Sequence, residues 1–203
     1  MKVLVTGGLG AHGAWVVRQL VQEGHTPIVF DASGDTSLIP DLAAKVTVVI
    51  ADIRDVSSII RVVKEHQIKV IAHLAAMKSP AAQANPRTGF EINAFGTVNI
   101  LEAARIMEVQ RVVYTSSKWA FLPCLGEYGH PTYKKVDETY STDPAARTSV
   151  YAAAKVASEH MGNTYSEQYK FDFVALRFAS TFGPSARRSK PVFAQMIDNA
   201  MSG

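Results

Sequence analysis

The chain opens with an apolar run that passes into glycines and then into an amphipathic segment: Val3-Leu4-Val5-Thr6-Gly7-Gly8-Leu9-Gly10-Ala11-His12-Gly13. This pattern predicts a strand, a phosphate-binding loop and a helix in direct succession. Glycines at positions 7, 10 and 13 let the backbone turn tightly, approach a pyrophosphate without an intervening Cβ, and pack the helix close to the strand. The amides of the first helical turn then face the anion. We therefore predict that a dinucleotide binds here.

The next segment predicts the first βα unit and a carboxylate that recognises the nucleotide. Apolar residues at helical spacing run from Ala14 to Glu23, and Gly24 supplies the left-handed conformation that ends a helix. Thr26 to Phe30 form the second predicted strand, and Asp31 follows it directly. An acidic side chain about 20 residues after the glycines accepts hydrogen bonds from an adenosine ribose and repels a 2′-phosphate. The predicted cofactor is therefore NAD rather than NADP.

The same alternation continues along the chain. We predict strands over 45–50, 70–75, 109–115 and 171–177, helices over 55–66, 88–107, 149–169 and from 191 onward, and a loop carrying Lys78, Pro80 and Pro86. The strand over 45–50 is expected to be buried, and Asp55 is expected to cap a helix. His73 is expected to satisfy a local hydrogen bond, and Asn93, a poor helix former inside a helix, to have a tertiary role. Strands that alternate with helices predict an α/β fold with a Rossmann-type, doubly wound parallel sheet.

A polar segment from Lys118 to Arg147 interrupts this alternation. It is rich in residues that break regular structure, namely Pro123, Gly126, Gly129, Pro131 and Pro144. Connections of this length are usually binding loops or lids. We therefore expect this segment to select the substrate.

Three residues carry the predicted chemistry: Ser117, Tyr151 and Lys155. Tyr151 and Lys155 are four residues apart, so a helix presents the phenol and the ammonium on one face. A nearby cation stabilises the phenolate and lowers the pKa of the tyrosine, which can then take a proton from a substrate hydroxyl while hydride leaves the same carbon. Ser117 ends the fifth predicted strand, at the edge of the sheet where ligands bind, and its hydroxyl can share that proton.

A second tyrosine and lysine repeat this spacing at Tyr114 and Lys118. They fall on and just after a predicted strand, where residues four apart lie about 13 Å from each other. This second pair is therefore not expected to cooperate.

Composition and charge narrow the remaining possibilities. The chain has 203 residues and a formal net charge of +3, and we interpret a short basic cluster, Arg187-Arg188-Ser189-Lys190, as a solvated loop. The single cysteine, Cys124, excludes an intrachain disulfide and indicates a reducing compartment. We find no apolar run long enough to cross a bilayer and no secretory signal before the first strand. We therefore predict a cytoplasmic protein that binds no nucleic acid, membrane or metal.

Short motifs occur in order along most of the chain: Thr6 to Gly13, Asp31, Asp52-Ile53, His73 to Ala76, Asn93 to Arg105, Thr115 to Ser117, Tyr151 to Lys155, and Arg177 through Phe182-Gly183-Pro184. Together they resemble the extended short-chain dehydrogenase/reductases of the NAD-dependent epimerase/dehydratase family. The resemblance covers nearly all of residues 1 to 184, so it is specific.

This resemblance implies NAD as the cofactor and a place for each part of it. Asp52 and Ile53 would hold the adenine ring, Lys78 and Lys155 the nicotinamide ribose, and Phe178 would lie near the nicotinamide. The whole implied cofactor set is Gly7, Gly10, Ala11, His12, Gly13, Asp31, Asp52, Ile53, Leu74, Ala75, Ala76, Lys78, Asn93, Thr115, Tyr151, Lys155 and Phe178. The implied substrate residues are Lys78, Ser117, Tyr151 and Ser180. A homodimer through the helices over 88–107 and 149–169 is also implied.

The resemblance further implies a two-part architecture and the reversible oxidation of a secondary alcohol. Residues 1–177 are expected to form the NAD-binding domain with the catalytic helix, and residues 178–203 to begin a smaller C-terminal substrate lobe that is largely missing. Dehydratases of this family carry an acidic pair where this chain has Lys118 and Trp119, so elimination is not expected. We predict the epimerisation of a nucleotide-sugar, resembling the family's 4-epimerases. Two alternatives stay open: an NAD-dependent dehydrogenase or reductase of a sugar, sugar acid or other secondary alcohol, and a non-catalytic dinucleotide-binding protein.

Overall fold

The structure, a computed structural model, describes residues 1–121, 124, 126–140, 148–181 and 192–202, with the side chains of 192–194 left out. Within these residues the strands are β1 (Lys2–Thr6), β2 (Thr26–Asp31), β3 (Thr47–Ile50), β4 (Val70–His73), β5 (Arg111–Ser117) and β6 (Asp172–Phe178). They form one sheet in the order β3-β2-β1-β4-β5-β6, and every neighbouring pair is parallel. The strand order reverses between β1 and β4, which opens a crevice at the carboxyl ends of these strands. The predicted doubly wound sheet is confirmed.

Helices connect the strands. They are α1 (Ala11–Gln22), α2 (Val56–His66), α3 (Ser79–Ala84), α4 (Pro86–Phe90), α5 (Gly96–Ile106), α6 (Val150–Tyr169) and α7 (Val192–Ser202), and a π-helical turn (Glu91–Phe95) joins α4 to α5. The predicted cap is confirmed, because Asp55 accepts a hydrogen bond from the amide of Ser58 at 3.2 Å. Gly24 has a φ of +74°, as predicted for the residue that ends the first helix.

Two apolar layers enclose the sheet. On one face, buried residues of α2 and α5 pack against Leu4, Ile71 and Val112 of the sheet. On the other face, α1 and the 38–42 segment pack against Val5 and Val29. Burial of a parallel sheet on both faces explains why its central strands read as continuous apolar runs. These layers hold the carboxyl ends of the strands in fixed positions, where the candidate site lies.

Two predictions about individual elements are wrong. The strand predicted over 45–50 was expected to be buried, but β3 is an edge strand with one neighbour, and the side chain of Ile50 is 65% exposed. The predicted loop with Lys78, Pro80 and Pro86 contains helix α3, because proline is well tolerated in a first helical turn, where its missing amide costs nothing. The helix predicted from 88 begins at Pro86 and includes the π-helical turn around Asn93.

The polar segment after β5 forms short turns built around aromatic side chains. Two 3₁₀ turns span Lys118–Phe121 and Gly126–Tyr128. The ring of Tyr140 contacts the rings of Phe121 and Tyr128, with centroid distances of 6.5 and 4.8 Å. Its residues 122, 123, 125 and 141–147 lie outside the described part of the chain, as do Phe182 to Pro184 and the basic cluster at 187–190. In the described part, no helix combines the length and the apolar character needed to span a bilayer.

Candidate active site

A cleft of about 580 Å³ opens at the carboxyl ends of the central strands. It brings together most of the predicted site residues, namely Gly7, Gly10, Ala11, His12, Gly13, Asp31, Asp52, Ile53, Leu74, Ala75, Ala76, Lys78, Thr115, Ser117, Tyr151, Lys155 and Phe178. Asn93 and Ser180, which were also predicted, are not part of the lining. The cleft therefore joins the glycine turn to the predicted catalytic residues in one space.

The glycine turn leaves room for an anion because no side chain fits within it. Gly7 has a φ of +66°, and a Cβ there would lie 2.7 Å from the amide nitrogen of Ala75. A Cβ on Gly13 would lie 2.1 Å from the carbonyl oxygen of Gly7. The backbone of the turn is thus in direct contact with both α1 and the end of β4. The exposed backbone at the start of α1 matches the cradle that a pyrophosphate needs.

Asp31 binds the glycine turn as well as facing the cleft. Its carboxylate accepts hydrogen bonds from the amides of Leu9 and Ser33, each at 3.0 Å. The carboxylate is therefore held at the carboxyl end of β2, in the position expected for recognition of an adenosine ribose.

Asp52 and Ile53 line the same end of the cleft but differ in exposure. The Asp52 carboxylate accepts from the Arg54 backbone amide at 2.8 Å and from the Arg54 Nε at 3.0 and 3.1 Å. This guanidinium holds the pKa of Asp52 below its usual range. Ile53 is buried against Gly96, where an added Cβ would lie 2.8 Å from the Ile53 Cγ2. Both residues can form the walls of an adenine pocket.

A buried chain of hydrogen bonds supports the 74–78 turn from below. The Thr6 hydroxyl accepts from the amides of Leu74 and Ala75, each at 3.2 Å, and lies 2.7 Å from the His73 Nδ1. The His73 Nε2 lies 3.1 Å from the Thr97 Oγ1, which donates to the carbonyl of Asn93. Since Thr97 uses its only hydroxyl proton on that carbonyl, the His73 Nε2 must donate to the Thr97 Oγ1. The His73 Nδ1 must then accept from the Thr6 hydroxyl. These contacts confirm the local hydrogen bonds predicted for His73. Burial lowers the pKa of His73 to about 3, so the ring does not titrate near neutrality.

Asn93 acts on the cleft through the backbone of the same turn. Its side-chain amide donates to the carbonyl of Met77 at 2.9 Å and accepts from the Met77 amide at 2.8 Å. Ser158 of α6 donates to the Asn93 carbonyl at 3.1 Å. The expected tertiary role is therefore to position the turn that carries Lys78, and the amide itself is not directed into the cleft.

Ser117, Tyr151 and Lys155 meet at the far end of the cleft. Lys155 is 2% exposed, and its Nζ donates to the carbonyl of Thr115 at 2.6 Å. The same Nζ lies 5.4 Å from the centre of the Tyr151 ring and 4.6 Å from that of Tyr114. Burial lowers the pKa of Lys155 to about 7. The helix places phenol and amine together as the spacing predicted.

The predicted effect of Lys155 on Tyr151 is wrong for the chain as it stands. Burial raises the pKa of Tyr151, and a hydrogen bond with Ser117 lowers it by a smaller amount. Burial also lowers the pKa of Lys155, which weakens the amine as a cation beside the phenol. Tyr151 is thus a neutral phenol at pH 7.

The second tyrosine and lysine pair does not cooperate, as predicted. Tyr114 is 1% exposed and lies beneath Lys155, while the Lys118 Nζ donates to the hydroxyl of Ser180 at 3.1 Å. Ser180 therefore lies at the rim, engaged by Lys118. His12 also reaches the end of β6, where its ring meets the edge of Phe178 at 5.7 Å. Burial, together with the charge of Lys78, lowers the pKa of His12.

A partly buried ion pair behind the predicted catalytic residues was missed in the sequence. Arg177 donates from Nε to both carboxylate oxygens of Glu159 at 3.1 Å and from Nη2 to one of them at 2.7 Å. Ser116 donates to the same carboxylate. The sequence did contain one sign of the role of Glu159. It follows Lys155 by four residues and therefore shares its helical face.

Comparison with known proteins places this arrangement in a family. The family model described as NAD dependent epimerase/dehydratase matches residues 3–203. The chain belongs to this family. The match includes the glycine turn, Ser117, Tyr151 and Lys155, so the resemblance inferred from the motifs is confirmed.

Individual members of the epimerase/dehydratase family resemble this chain over most of its length. It is 34% identical over 189 residues to a UDP-glucose 4-epimerase of Mycolicibacterium smegmatis, covering 91% of this chain and 57% of that protein. It is 30% identical over 202 residues to Protein CapI of Staphylococcus aureus, covering 95% of this chain and 58% of that protein. The Thermus thermophilus UDP-glucose 4-epimerase, solved in complex with NAD, superposes with a TM-score of 0.77 at 32% identity, covering 91% of this chain and 57% of that one. The chain thus spans somewhat more than half the length of the relatives that it matches.

Proposed function

We propose that this member of the epimerase/dehydratase family carries the NAD-binding and catalytic part of an enzyme that epimerises a nucleotide-sugar, in the manner of a 4-epimerase. One observation carries the proposal: Ser117, Tyr151 and Lys155 line the same cleft as the glycine turn and Asp31. A cleft that only stored a dinucleotide would not need a buried amine beside a phenol at the substrate end. The similarity to UDP-glucose 4-epimerases supports the choice of substrate class.

The proposed roles follow from the contacts of each side chain. Tyr151 exchanges a proton with the substrate oxygen, and Ser117 hydrogen-bonds to the same oxygen and to the phenol. Lys155 is held against Tyr151 by the Thr115 carbonyl, so its position does not depend on the substrate. The oxidised nicotinamide, when bound, supplies the hydride acceptor and a positive charge at this end of the cleft. Because burial raises its pKa, Tyr151 starts with its proton in place. It can act as a base only after a nearby positive charge has favoured loss of that proton.

The residues around Ser117 argue against elimination. Elimination of a sugar hydroxyl needs a carboxylic acid to protonate the leaving group, whereas Lys118 and Trp119 follow Ser117 directly. Lys118 is not a carboxylic acid, and its Nζ donates to the hydroxyl of Ser180 at 3.1 Å. A dehydrogenase of a sugar or sugar acid uses the same three residues and is the second candidate.

Three further proposals accompany this function. Residues 1–177 form the NAD-binding domain, and residues 178–203 begin a C-terminal substrate lobe, consistent with the share of its relatives that the chain covers. A homodimer forms through α6 and through α5 with the π-helical turn before it, where Phe95, Ile106 and Tyr169 expose 58%, 47% and 39% of their surface. A cytoplasmic location stays a prediction from the single cysteine.

Replacement of Tyr151 by phenylalanine tests the catalytic proposal. We expect Tyr151→Phe to lower kcat by a factor of about 100 to 10,000 on the best substrate of a panel of UDP-hexoses and sugar acids, with NAD affinity unchanged. The matched control is Tyr169→Phe, which removes an exposed hydroxyl from the other end of the same helix. Equal activity of wild type and Tyr151→Phe would contradict the role given to Tyr151. Absence of turnover in both, with NAD still bound, would favour the non-catalytic dinucleotide-binding protein.

Absorbance of reduced nicotinamide separates the two enzymatic candidates. An epimerase returns the hydride to its substrate, so no net reduced cofactor accumulates during turnover. Sustained accumulation with a sugar or sugar acid would replace the epimerase proposal with the dehydrogenase.

A further inference from the structure

A partly buried ion pair joins the strand at the edge of the site to the catalytic helix. The Arg177 side chain on β6 is 24% exposed, and the Glu159 side chain on α6 is 11% exposed. Three donor–acceptor contacts of 2.7 to 3.1 Å join them, which makes the pair bidentate. By contrast, the pair of Arg111 and Asp172, which joins β5 and β6 at their amino ends, is 55% and 63% exposed. Only the first pair is placed behind the cleft.

The Glu159 carboxylate also holds the end of β5. Ser116 donates to it, and Ser116 directly precedes Ser117 in the strand. On the helix, Glu159 follows Lys155 by four residues and Tyr151 by eight, so all three lie along one face of α6. One carboxylate therefore links the strand that presents the serine to the helix that presents the tyrosine and lysine.

The Arg177 guanidinium makes two further contacts, both with the polar segment. Its centre lies 4.2 Å from the centre of the Phe121 ring, and its Nη1 donates to the carbonyl of Glu138 at 3.4 Å. Phe121 belongs to the aromatic cluster with Tyr128 and Tyr140. The same guanidinium therefore contacts the polar segment after Ser117 at two separate places, Phe121 and Glu138.

We propose that Glu159 and Arg177 are positioning residues that fix the 118–140 segment and the Ser117 end of β5 to the catalytic helix. Neither side chain lines the cleft, so both act through the residues they hold. The kinetic part of this inference rests on the proposed function, whereas the structural part does not.

Two physical arguments indicate that Glu159 and Arg177 position other residues and do not serve only to stabilise the fold. Removing two charges from water costs more than a buried pair usually returns, so apolar residues in this place would stabilise the fold as well or better. An apolar pair could not bond to a serine, a backbone carbonyl and an aromatic face in fixed directions. The charge of Glu159 also raises the pKa of Lys155 against the effect of burial, which favours the charged amine at the site.

Trp119 provides a measurement that requires no turnover. It is 42% exposed and lies in the 3₁₀ turn that also contains Phe121. The chain has two tryptophans, so a Trp15→Phe background leaves Trp119 as the only one. In this background we expect Glu159→Gln to raise the acrylamide quenching constant of Trp119 about twofold at a temperature where the protein is fully folded. Asp172→Asn, which breaks the exposed pair between β5 and β6 at their amino ends, is the matched control and should leave quenching unchanged.

Binding and kinetics complete the test. We expect NAD affinity to be retained in Glu159→Gln, because the glycine turn and Asp31 are untouched, while kcat falls about tenfold through misplacement of Ser117. If Glu159→Gln does not fold, Phe121→Leu replaces it, because that variant keeps the ion pair and removes the ring from Arg177. Quenching equal to that of Asp172→Asn in whichever variant folds would overturn the inference. Absence of turnover in the wild type would overturn the proposed function and leave the Trp119 result as the test of positioning.

Discussion

Lys155 is a side chain whose charge depends strongly on its burial. Its amine contacts one carbonyl and two aromatic rings, and its pKa falls to about 7 from a usual value of 10.5. The titratable groups around it are Tyr151 and Glu159 on α6, Tyr114 on β5 and His73 on β4. Small changes in this environment therefore change the charge that Tyr151 experiences near neutral pH.

We expect Lys155→Met to change how stability depends on pH. The folded wild type releases the Lys155 proton near pH 7 and the unfolded chain near pH 10.5, so the unfolded state binds more protons between these values and stability rises with pH. The variant lacks this rise. Its free energy of unfolding should exceed that of the wild type below pH 7 by on the order of 2 kcal/mol, and the difference should shrink as pH rises. Urea unfolding across this range checks the prediction, with exposed Lys69→Met as control. A difference in unfolding free energy between Lys155→Met and the wild type that stays constant with pH would contradict the prediction.

Thr97 should be sensitive to loss of its hydroxyl because it ends a buried chain of hydrogen bonds. Thr97→Val leaves the His73 Nε2 proton without an acceptor in a fully buried place, so we expect a loss of about 1 to 3 kcal/mol in urea unfolding. Thr164→Val is a matched control, because Thr164 also donates to the carbonyl four residues before it but lies exposed on α6. Equal losses of unfolding free energy in the two variants would show that the hydrogen bonds through His73 contribute nothing to stability.

At the scale of single elements, the glycine turn and α1 behave as one unit. The carbonyl of Gly7 occupies the space where a side chain at position 13 would lie, so the turn and the first helical turn cannot separate without losing the anion cradle. Gly24, at the other end of α1, has a positive φ but no atom within 4 Å of an added Cβ. The two glycines thus serve different physical purposes.

This difference predicts that two alanine substitutions differ in their cost to stability and in their effect on NAD binding. Gly13→Ala should lower the free energy of unfolding by about 3 kcal/mol through overpacking and abolish NAD binding. Gly24→Ala should cost about 1 kcal/mol through backbone strain and leave NAD binding intact. Chemical denaturation and calorimetric titration with NAD measure both effects. Retention of full NAD affinity in Gly13→Ala would contradict the proposed cradle.

The whole molecule distributes charge unevenly across the cleft. Asp31 and Asp52 follow β2 and β3 on one side of β1, whereas Lys78 follows β4 and Lys155 packs against β5 on the other side. Asp35 also lines this side, and no arginine is among the described lining residues, although Arg54 pairs with Asp52 from outside the lining. The acidic side suits the hydroxyls of an adenosine ribose, and the basic side suits an anionic substrate.

This polarity predicts which dinucleotide stabilises the fold. At about a hundred times its Kd, NAD should raise the free energy of unfolding by about 2.7 kcal/mol. NADP at the same concentration should have a much smaller effect, because Asp31 repels its 2′-phosphate. Thermal or urea unfolding with each nucleotide checks this. Equal stabilisation by both would show that Asp31 does not select the cofactor.

Local sequence patterns were enough to predict the order of strands and helices, the glycine turn and the helical pairing of Tyr151 with Lys155. Each of these depends on residues that are close in the chain, such as an apolar period, a turn glycine or a four-residue spacing. The comparison with relatives then confirmed the family but did not test individual site residues.

Other features depended on which distant residues the fold brings together. The edge position of β3, the chain from Thr6 through His73 to Thr97, and the pair of Glu159 with Arg177 each join segments whose contact no local pattern predicts. The same holds for charge at the site, because the pKa of Lys155 follows from burial by several elements and not from its neighbours in sequence. The sequence by itself determined the candidate residues for the chemistry and the elements that carry them. Tertiary structure decided how its groups are charged and held, because desolvation and long-range contacts exist only once the chain has folded.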